Sequence, residues 1–298
     1  MIKFSHSVFA LPFALMATFL AARSAHRAGD APRHYPSIMQ LILIIACMVT
    51  ARSVAMTFNR IIDADVDARN PRTNSRAIPT GIISKTQATI FLLAAAGAFI
   101  LCCAGFWWLD GNLFPITLSL PVLGYLCLYS YTKRFTNWSH FVLGSAIALS
   151  PVAAWLAIHP ASVGSPAVVL LFTVTLWIGG FDIIYACQDI QIDQAEKLFS
   201  LPSHIGPARA LWIARLAHLG TIVLLVILMP LANLGWLYGI GVGMVAILLL
   251  IENALVRADD FSKINLAFFA VNGIISIVLG ILAIIDCLLG LGSAVDLA

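Results

Sequence analysis

Two aspartate clusters contain the side chains of this sequence that could do chemistry. The first lies in residues 59–67 and the second in residues 182–193, and together they hold six of the fourteen acidic residues. Carboxylates are costly at membrane depth, so in a strongly apolar chain these clusters need partners or a function. Carboxylate and amide oxygens beside cationic side chains are typical of sites where Mg²⁺ joins a protein to a diphosphate.

The spacing within each cluster is helical. Residues four apart share a helix face, so Asn59, Asp63 and Asp67 form one polar stripe if the helix continues through Asp67. Asp65 then points elsewhere, or it lies where the helix has already ended. In the second cluster, spacings of three, four and four align Asp182, Tyr185, Asp189 and Asp193. Two facing stripes would form an acidic mouth at the membrane surface. The alternative is that both clusters are solvated helix ends whose acids are paired with basic residues. Two clusters at the same membrane depth make this alternative less favoured.

Cationic side chains bracket this predicted mouth. Arg52 lies seven residues before Asn59, on the same helix face but two turns deeper, where it needs a carboxylate or phosphate partner. Tyr129 and Lys133 are four residues apart at the end of an apolar segment, and Arg134 follows them. Ordinary loop charge is the alternative explanation for Lys133 and Arg134, and it is the stronger one for Arg134.

The segment 69–81 is predicted to be an ordered loop that covers the mouth. It contains two prolines, a glycine and the arginines Arg69, Arg72 and Arg76, a composition that a flexible linker does not need. Closure of such a loop would exclude water from the site. The alternative is a basic loop that only sets the membrane topology.

The elements that position these groups are predicted to be membrane helices. The chain has 298 residues, of which 61% are hydrophobic and 10% charged, and its mean hydropathy is +0.96, whereas soluble domains carry about 25% charged residues. A spanning helix needs roughly 20 apolar residues. The sequence predicts one domain over residues 1–298 with nine such spans, at 4–22, 37–62, 86–108, 112–131, 138–158, 166–188, 208–231, 234–255 and 264–288.

The basic residues predict the orientation of these spans. If the nine helices alternate, thirteen Lys and Arg residues lie on the N-terminal side, Arg52 lies within a helix, and only Arg23, Arg27 and Arg33 lie on the opposite side. Because cytoplasmic loops are enriched in Lys and Arg, the N-terminus and the acidic mouth are predicted to be cytoplasmic, in a bacterial inner membrane. The basic residues form no stripe with aromatics on a soluble face, so no nucleic-acid partner is expected.

The identity of these motifs and their order along the chain resemble the UbiA superfamily of intramembrane prenyltransferases. The resemblance covers nearly the whole sequence, including the segment 70–81. The family patterns are NxxxDxxxD, YxxxK, and DxxYxxxD followed by another aspartate. They are matched by Asn59, Asp63 and Asp67; by Tyr129 and Lys133; and by Asp182, Tyr185, Asp189 and Asp193. Three ordered motifs make this resemblance specific, where a single aspartate motif would not.

The resemblance implies an all-α bundle around a central cavity in the lipid bilayer. It also implies Mg²⁺-dependent transfer of a polyprenyl group from polyprenyl diphosphate to a small aromatic acid. The implied metal ligands are Asn59, Asp63, Asp67, Asp182, Asp189 and Asp193. The implied catalytic groups are Asp63, Asp67, Asp189, Asp193 and Lys133, and the implied substrate-binding residues are Arg52, Arg60, Arg72, Arg76, Tyr129, Arg134 and Tyr185.

The acceptor is left open between two aromatic acids. The overall pattern is most similar to 4-hydroxybenzoate polyprenyltransferases of ubiquinone biosynthesis, but residues 2–13 look closer to a branch acting on 1,4-dihydroxy-6-naphthoate in menaquinone biosynthesis. Both acids carry a carboxylate, which Arg72 or Arg76 is expected to bind as a bidentate fork. A membrane transporter is the alternative from another class. It predicts charges near mid-bilayer and discontinuous helices rather than acids clustered at one face.

Overall fold

The fold of the chain is all-α. The computed structural model describes residues 9–261, 264 and 270–292 of the protein, and these residues contain no β-strand. The described helices are α1 (Leu11–Ala28), α2 (Ile38–Ile62), α3 (Ala64–Arg69), α4 (Lys85–Asp110), α5 (Phe114–Thr132), α6 (Ser139–Ile158), α7 (Ser165–Ala186), α8 (Ile190–Ala195), α9 (Leu201–Ile205), α10 (Pro207–Leu231), α11 (Trp236–Leu255) and α12 (Asn272–Leu289). The predicted fold class is therefore confirmed.

Eight stretches of the described chain are long and apolar enough to cross a membrane. They are α2, α4, α5, α6, the run Ser165–Ala195 that contains α7 and α8, α10, α11 and α12. The predicted first span, 4–22, begins outside the described residues, and the helix found there runs from Leu11 to Ala28 and ends in basic residues. Although α1 is not among the eight stretches, its Phe13, Met16 and Leu20 are buried in the bundle.

Capping side chains explain where two of the membrane helices begin. Ser37 precedes α2 and Ser84 precedes α4, and each hydroxyl accepts a hydrogen bond from the backbone N–H of a glutamine three residues later. In return, the side-chain oxygens of Gln40 and Gln87 accept hydrogen bonds from the backbone N–H groups of the two serines, at 2.8 and 2.9 Å. Such reciprocal capping boxes satisfy backbone groups that a helix start leaves without partners. They fix the residues at which α2 and α4 begin.

Helix α7 lies at the centre of the bundle, against α6 on one side and α10 on the other. Its Trp177 and Ile178 are fully buried, and the Trp177 ring lies 5.2 Å from that of Phe13 in α1. The α6 and α7 backbones approach closely at Gly144, where any Cβ would collide with the carbonyl oxygen of Thr175. Small residues permit such close contacts between membrane helices.

We expect Gly144→Ala to destabilise the protein by about 1–3 kcal/mol, because the added methyl group forces α6 away from α7. Thermal unfolding in detergent, followed by near-ultraviolet circular dichroism, would measure the change. Gly97→Ala in α4 is the matched control, because a Cβ there meets nothing within 4 Å. Equal melting temperatures for the two variants would show that the α6–α7 contact is not tight.

The helix breaks inside both aspartate clusters. Helix α2 ends at Ile62 and α3 begins at Ala64, so Asp63 lies at the junction. A 3₁₀ turn over Cys187–Asp189 separates α7 from α8. The second cluster therefore does not lie on one uninterrupted α-helix, although Asp182, Asp189 and Asp193 line one cavity. Because a 3₁₀ turn has three residues per turn rather than 3.6, it rotates Asp189 relative to Asp182.

Candidate active site

Asp63 is held from two sides at the end of α2. Its Oδ2 accepts a hydrogen bond from Asn59 Nδ2 at 2.7 Å, and its Oδ1 accepts one from Arg134 Nη2 at 2.9 Å. Burial raises the pKa of the Asp63 carboxyl group, and the hydrogen bond from Arg134 opposes that rise. Arg134 also donates to the Ser130 carbonyl at 2.9 Å. The structure therefore gives Arg134 a direct contact with the site, although its sequence position favoured ordinary loop charge.

Asp67 is buried beneath segment 69–81. Both of its carboxylate oxygens accept hydrogen bonds from Arg76 Nη1, at 2.6 and 2.7 Å, and Arg60 Nη1 lies 3.8 Å from Oδ2. The Thr73 hydroxyl donates to the Asp67 carbonyl at 3.1 Å. Segment 69–81 thus folds back over the first cluster and brings Arg76 to it.

Asp189 is bound by the same segment through Arg72. The Nε and Nη2 atoms of Arg72 donate to the two Asp189 oxygens at 3.0 and 2.5 Å, and Nη1 donates to the Tyr185 hydroxyl at 3.0 Å. Burial alone would lower the pKa of Arg72, but the hydrogen bonds and charge of Asp189 raise it. Arg72 therefore links the first cytoplasmic loop of the predicted topology to the second aspartate cluster.

A second ion pair joins the two loops at their exposed surface. Arg69 donates from Nε and Nη2 to the two carboxylate oxygens of Glu196, both at 2.5 Å. The pair raises the pKa of Arg69 and lowers that of Glu196. Sequence analysis missed Glu196, because 127 residues separate it from Arg69 and no motif contains it.

Lys133 lies among the carboxylates of both clusters. Burial alone would lower its pKa, but the surrounding negative charges raise it, so the ammonium group keeps its proton. The contributing carboxylates are Asp193, Asp182, Asp189 and Asp63. The Lys133 carbonyl also accepts a hydrogen bond from the Phe199 N–H at 2.6 Å.

Asp182 has a histidine partner that sequence analysis did not assign to the site. His140, the second residue of α6, is fully buried, and its Nδ1 lies 2.7 Å from Asp182 Oδ2. The histidines of this sequence show no metal-ligand spacing, and 42 residues separate His140 from Asp182. The one signal in the sequence that pointed to His140 was its position as a polar residue within a predicted apolar span.

Two adjoining cavities connect these groups. A polar cavity of about 220 Å³ lies between the aspartate clusters, and a larger, mostly apolar cavity of about 600 Å³ adjoins it. Both are lined by Asn59, Arg72, Arg76, Tyr129 and Asp182. A largely apolar pocket with a few convergent polar groups is the usual form of a ligand site.

The apolar cavity runs along the bundle towards the far ends of its helices. Its lining includes Ile44 in the first half of α2, Phe106 near the end of α4 and Ala157 near the end of α6. Arg52 lines it two turns below Asn59. Every residue that the sequence placed at the site, including Arg60 and Tyr185, lines one or both of the two cavities.

The side chains at the polar cavity fit Mg²⁺ in kind, since they offer carboxylate and amide oxygens. Asp193 is 3% exposed, and its Oδ2 is buried with no hydrogen-bond partner in the described part of the chain. A buried carboxylate oxygen of this kind is costly unless it meets a cation. Within residues 9–261, 264 and 270–292, no three His, Cys, Asp or Glu side chains converge as they stand. Arginines bind the oxygens of Asp63, Asp67 and Asp189 instead.

Solved structures of known proteins share this fold. A UbiA homolog from Aeropyrum pernix K1 superposes with a TM-score of 0.81 and 24% identity, over all of both chains. A UbiA homolog from Archaeoglobus fulgidus bound to GPP and Mg²⁺ superposes with a TM-score of 0.63 and 18% identity, over 94% of this chain and 99% of that one. At these identities the likeness establishes the fold alone.

Curated relatives of this chain carry several different names. The mitochondrial 4-hydroxybenzoate polyprenyltransferase of Aedes aegypti is 28% identical over 180 residues, which are 60% of this chain and only 40% of that protein. The protoheme IX farnesyltransferase of Gloeobacter violaceus is 30% identical over 243 residues, 79% of this chain and 76% of that protein. The family model described as the UbiA prenyltransferase family matches residues 10–284. With eight apolar helices in its described residues and a family match over most of its length, this integral membrane protein belongs to the UbiA prenyltransferase family.

Proposed function

We propose that this protein transfers a polyprenyl group from polyprenyl diphosphate to a small aromatic acid in quinone biosynthesis, with Mg²⁺. The observation that carries the proposal is the junction of the two cavities. An arginine- and carboxylate-lined polar cavity fits a diphosphate with its cations, and an apolar cavity of about 600 Å³ beside it fits part of a prenyl chain. A single amphipathic substrate would occupy both.

The diphosphate end of the donor would lie between the aspartate clusters. Asn59, Asp63, Asp67, Asp182, Asp189 and Asp193 are the residues that would hold Mg²⁺ there. When bound, Mg²⁺ supplies positive charge that stabilises the leaving diphosphate. Lys133 adds an ammonium group in the polar cavity, and Arg60 and Arg52 line the apolar cavity beside it.

The proposed reaction separates charge and then neutralises it. The allylic C–O bond breaks and its electron pair leaves with the diphosphate, while cationic side chains stabilise that negative charge. A carbon of the electron-rich acceptor ring forms the new C–C bond to the allylic cation, and the ring then loses a proton and regains aromaticity. Tyr129 and Tyr185 line the cavity where this occurs and would orient the cation.

We propose 4-hydroxybenzoate as the acceptor, which the name of the Aedes aegypti relative supports. The naphthoate alternative rests on residues 2–13, of which residues 2–8 lie outside the described residues. Protoheme IX is the other acceptor that a relative's name suggests, and haem farnesylation is therefore included in the test.

The acceptor carboxylate is proposed to bind Arg72 or Arg76. Both arginines line the two cavities. The hydrogen bonds from Arg76 to Asp67 both come from Nη1. We expect Arg76→Ala to raise the KM for the aromatic acid about tenfold or more, because a charge-assisted hydrogen bond is lost. Initial rates at saturating donor would measure it, with Arg72→Ala in parallel. An acceptor KM that neither substitution changes would exclude both arginines from this role.

An acceptor panel tests the proposed function. The purified protein in nanodiscs would receive Mg²⁺ and labelled polyprenyl diphosphate, with 4-hydroxybenzoate, 1,4-dihydroxy-6-naphthoate or protoheme IX as separate acceptors. We expect transfer to 4-hydroxybenzoate, abolished by EDTA. Transfer to the naphthoate alone would assign the alternative pathway, and failure with all three by folded protein would contradict the proposed substrate class.

The proposed orientation places the polar cavity at the cytoplasmic face of a bacterial inner membrane. Reporter fusions after Arg72 and after Lys133 would both show cytoplasmic activity, because thirteen of the seventeen basic residues lie on that side of the predicted topology. Fusions that report opposite sides would contradict the topology.

A further inference from the structure

His140 forms two hydrogen bonds that fix its tautomer. Its Nε2 accepts from the Leu201 backbone N–H at 3.3 Å, so that nitrogen carries no proton. The proton therefore lies on Nδ1, which donates to Asp182 Oδ2 at 2.7 Å. The ring is fully buried, and both of its nitrogens are satisfied by these two partners.

Asp182 thereby differs from the motif carboxylates that arginines hold. Asp63, Asp67 and Asp189 each accept hydrogen bonds from a guanidinium group, which orients the carboxylate and also neutralises it. The His140 imidazole orients Asp182 with an N–H donor instead of a guanidinium group. Side chains that hydrogen-bond to metal ligands without binding the metal orient those ligands in other proteins.

The second hydrogen bond joins His140 to the segment that carries the rest of the second cluster. Leu201 is the first residue of α9 and directly follows Ser200, the N-cap residue of that helix. The chain from Asp182 to Leu201 contains Asp189 and Asp193. His140 contacts this segment at both of its ends, and its position on α6 is fixed by the close α6–α7 packing.

We propose that His140 is the positioning residue of the second aspartate cluster. Its Nδ1–H orients the Asp182 carboxylate at the polar cavity. Its Nε2 accepts the Leu201 hydrogen bond that holds the end of the segment carrying Asp189 and Asp193. The proposal rests on the proposed function, in which these carboxylates hold a cation and a diphosphate.

Two substitutions of His140 each keep one of its two hydrogen bonds and remove the other. The amide nitrogen of asparagine reaches the place of Nδ1, so His140→Asn keeps the donor to Asp182. The longer glutamine places its amide near Nε2, so His140→Gln keeps a partner for the Leu201 N–H and loses the donor to Asp182. The matched control is His159→Gln at the opposite end of α6, where the His159 Nε2 pairs with Asp30 Oδ2 at 3.0 Å.

The readout is the affinity for inorganic pyrophosphate in the presence of Mg²⁺, measured by calorimetry on the full protein in detergent, with melting temperatures recorded for each variant. We expect His159→Gln to bind within about threefold of the unsubstituted protein, and His140→Asn, which keeps only the contact with Asp182, to lose less affinity than His140→Gln. His140→Gln should lose about 10- to 100-fold in affinity while retaining its melting temperature. The KM for the prenyl donor should rise in the same order.

Two results would overturn the inference. Wild-type affinity in His140→Gln would show that the Asp182 contact is dispensable. Equal losses of affinity and of melting temperature in His140→Asn and His140→Gln would show that His140 only supports the fold. If the unsubstituted protein itself fails to bind pyrophosphate with Mg²⁺, the proposed function fails and this inference fails with it, which is distinguishable from either result.

Discussion

Asp189→Asn is expected to lower kcat/KM for prenyl transfer at least about 100-fold. The substitution removes a negative charge from the second cluster, so the cation that neutralises the diphosphate binds more weakly. It also leaves Arg72 without the carboxylate that both Nε and Nη2 contact. Initial rates with labelled donor and saturating acceptor would measure the loss, and Asp63→Asn should show a similar one.

Asp65→Asn is the matched control for these variants. Asp65 belongs to the same short sequence as Asp63 and Asp67, but its side chain is 78% exposed and pairs with Lys85 at the surface. An exposed ion pair contributes little, so activity within about twofold of the unsubstituted protein is expected. Equal losses in Asp65→Asn and Asp189→Asn would indicate a general charge effect and would contradict the assignment of distinct ligands.

Lys133→Met is expected to lower kcat about 100-fold or more, because it removes an ammonium group whose charge interacts with carboxylates of both clusters. The surrounding aspartates raise the pKa of Lys133, so its charge persists throughout the neutral range. Stopped assays of product formation at saturating substrates would measure the effect. Lys133→Arg, which keeps the charge, should retain more activity than Lys133→Met.

Lys85→Met provides the comparison for Lys133→Met. Lys85 is exposed and lies 3.2 Å from Asp65, outside the two cavities. We expect nearly unchanged kcat for this variant. If Lys133→Met retained more than half of the wild-type kcat with a normal melting temperature, Lys133 would have no role in neutralising the leaving group.

Local spacing is what made much of this site predictable. Asn59 and Asp63 are one helical turn apart and are hydrogen-bonded, as that spacing indicates. The break at Asp63 was not predictable in this way, because neither proline nor glycine marks it and helix-compatible residues continue on both sides. The 3₁₀ turn that ends at Asp189 is likewise set by tertiary contacts, among them the ion pair with Arg72.

Contacts between distant segments account for the rest. The pairs His140–Asp182 and Arg69–Glu196 each join residues that no sequence motif relates. Arg134 shows a different difficulty, since a basic residue after a membrane helix has the same sequence signal whether it sets topology or binds Asp63. Only the packing of α5 against α2 distinguishes the two roles.

The most direct test of the central claim is an experimental structure of the protein with Mn²⁺ in place of Mg²⁺ and an uncleavable prenyl thiodiphosphate, with the metal located by anomalous scattering. We predict the metal between the cluster of Asp63 and Asp67 and that of Asp189 and Asp193. The thiodiphosphate should lie beside Lys133, and the prenyl chain should run into the cavity lined by Phe106. A metal away from both clusters, or a diphosphate outside the polar cavity, would contradict the account.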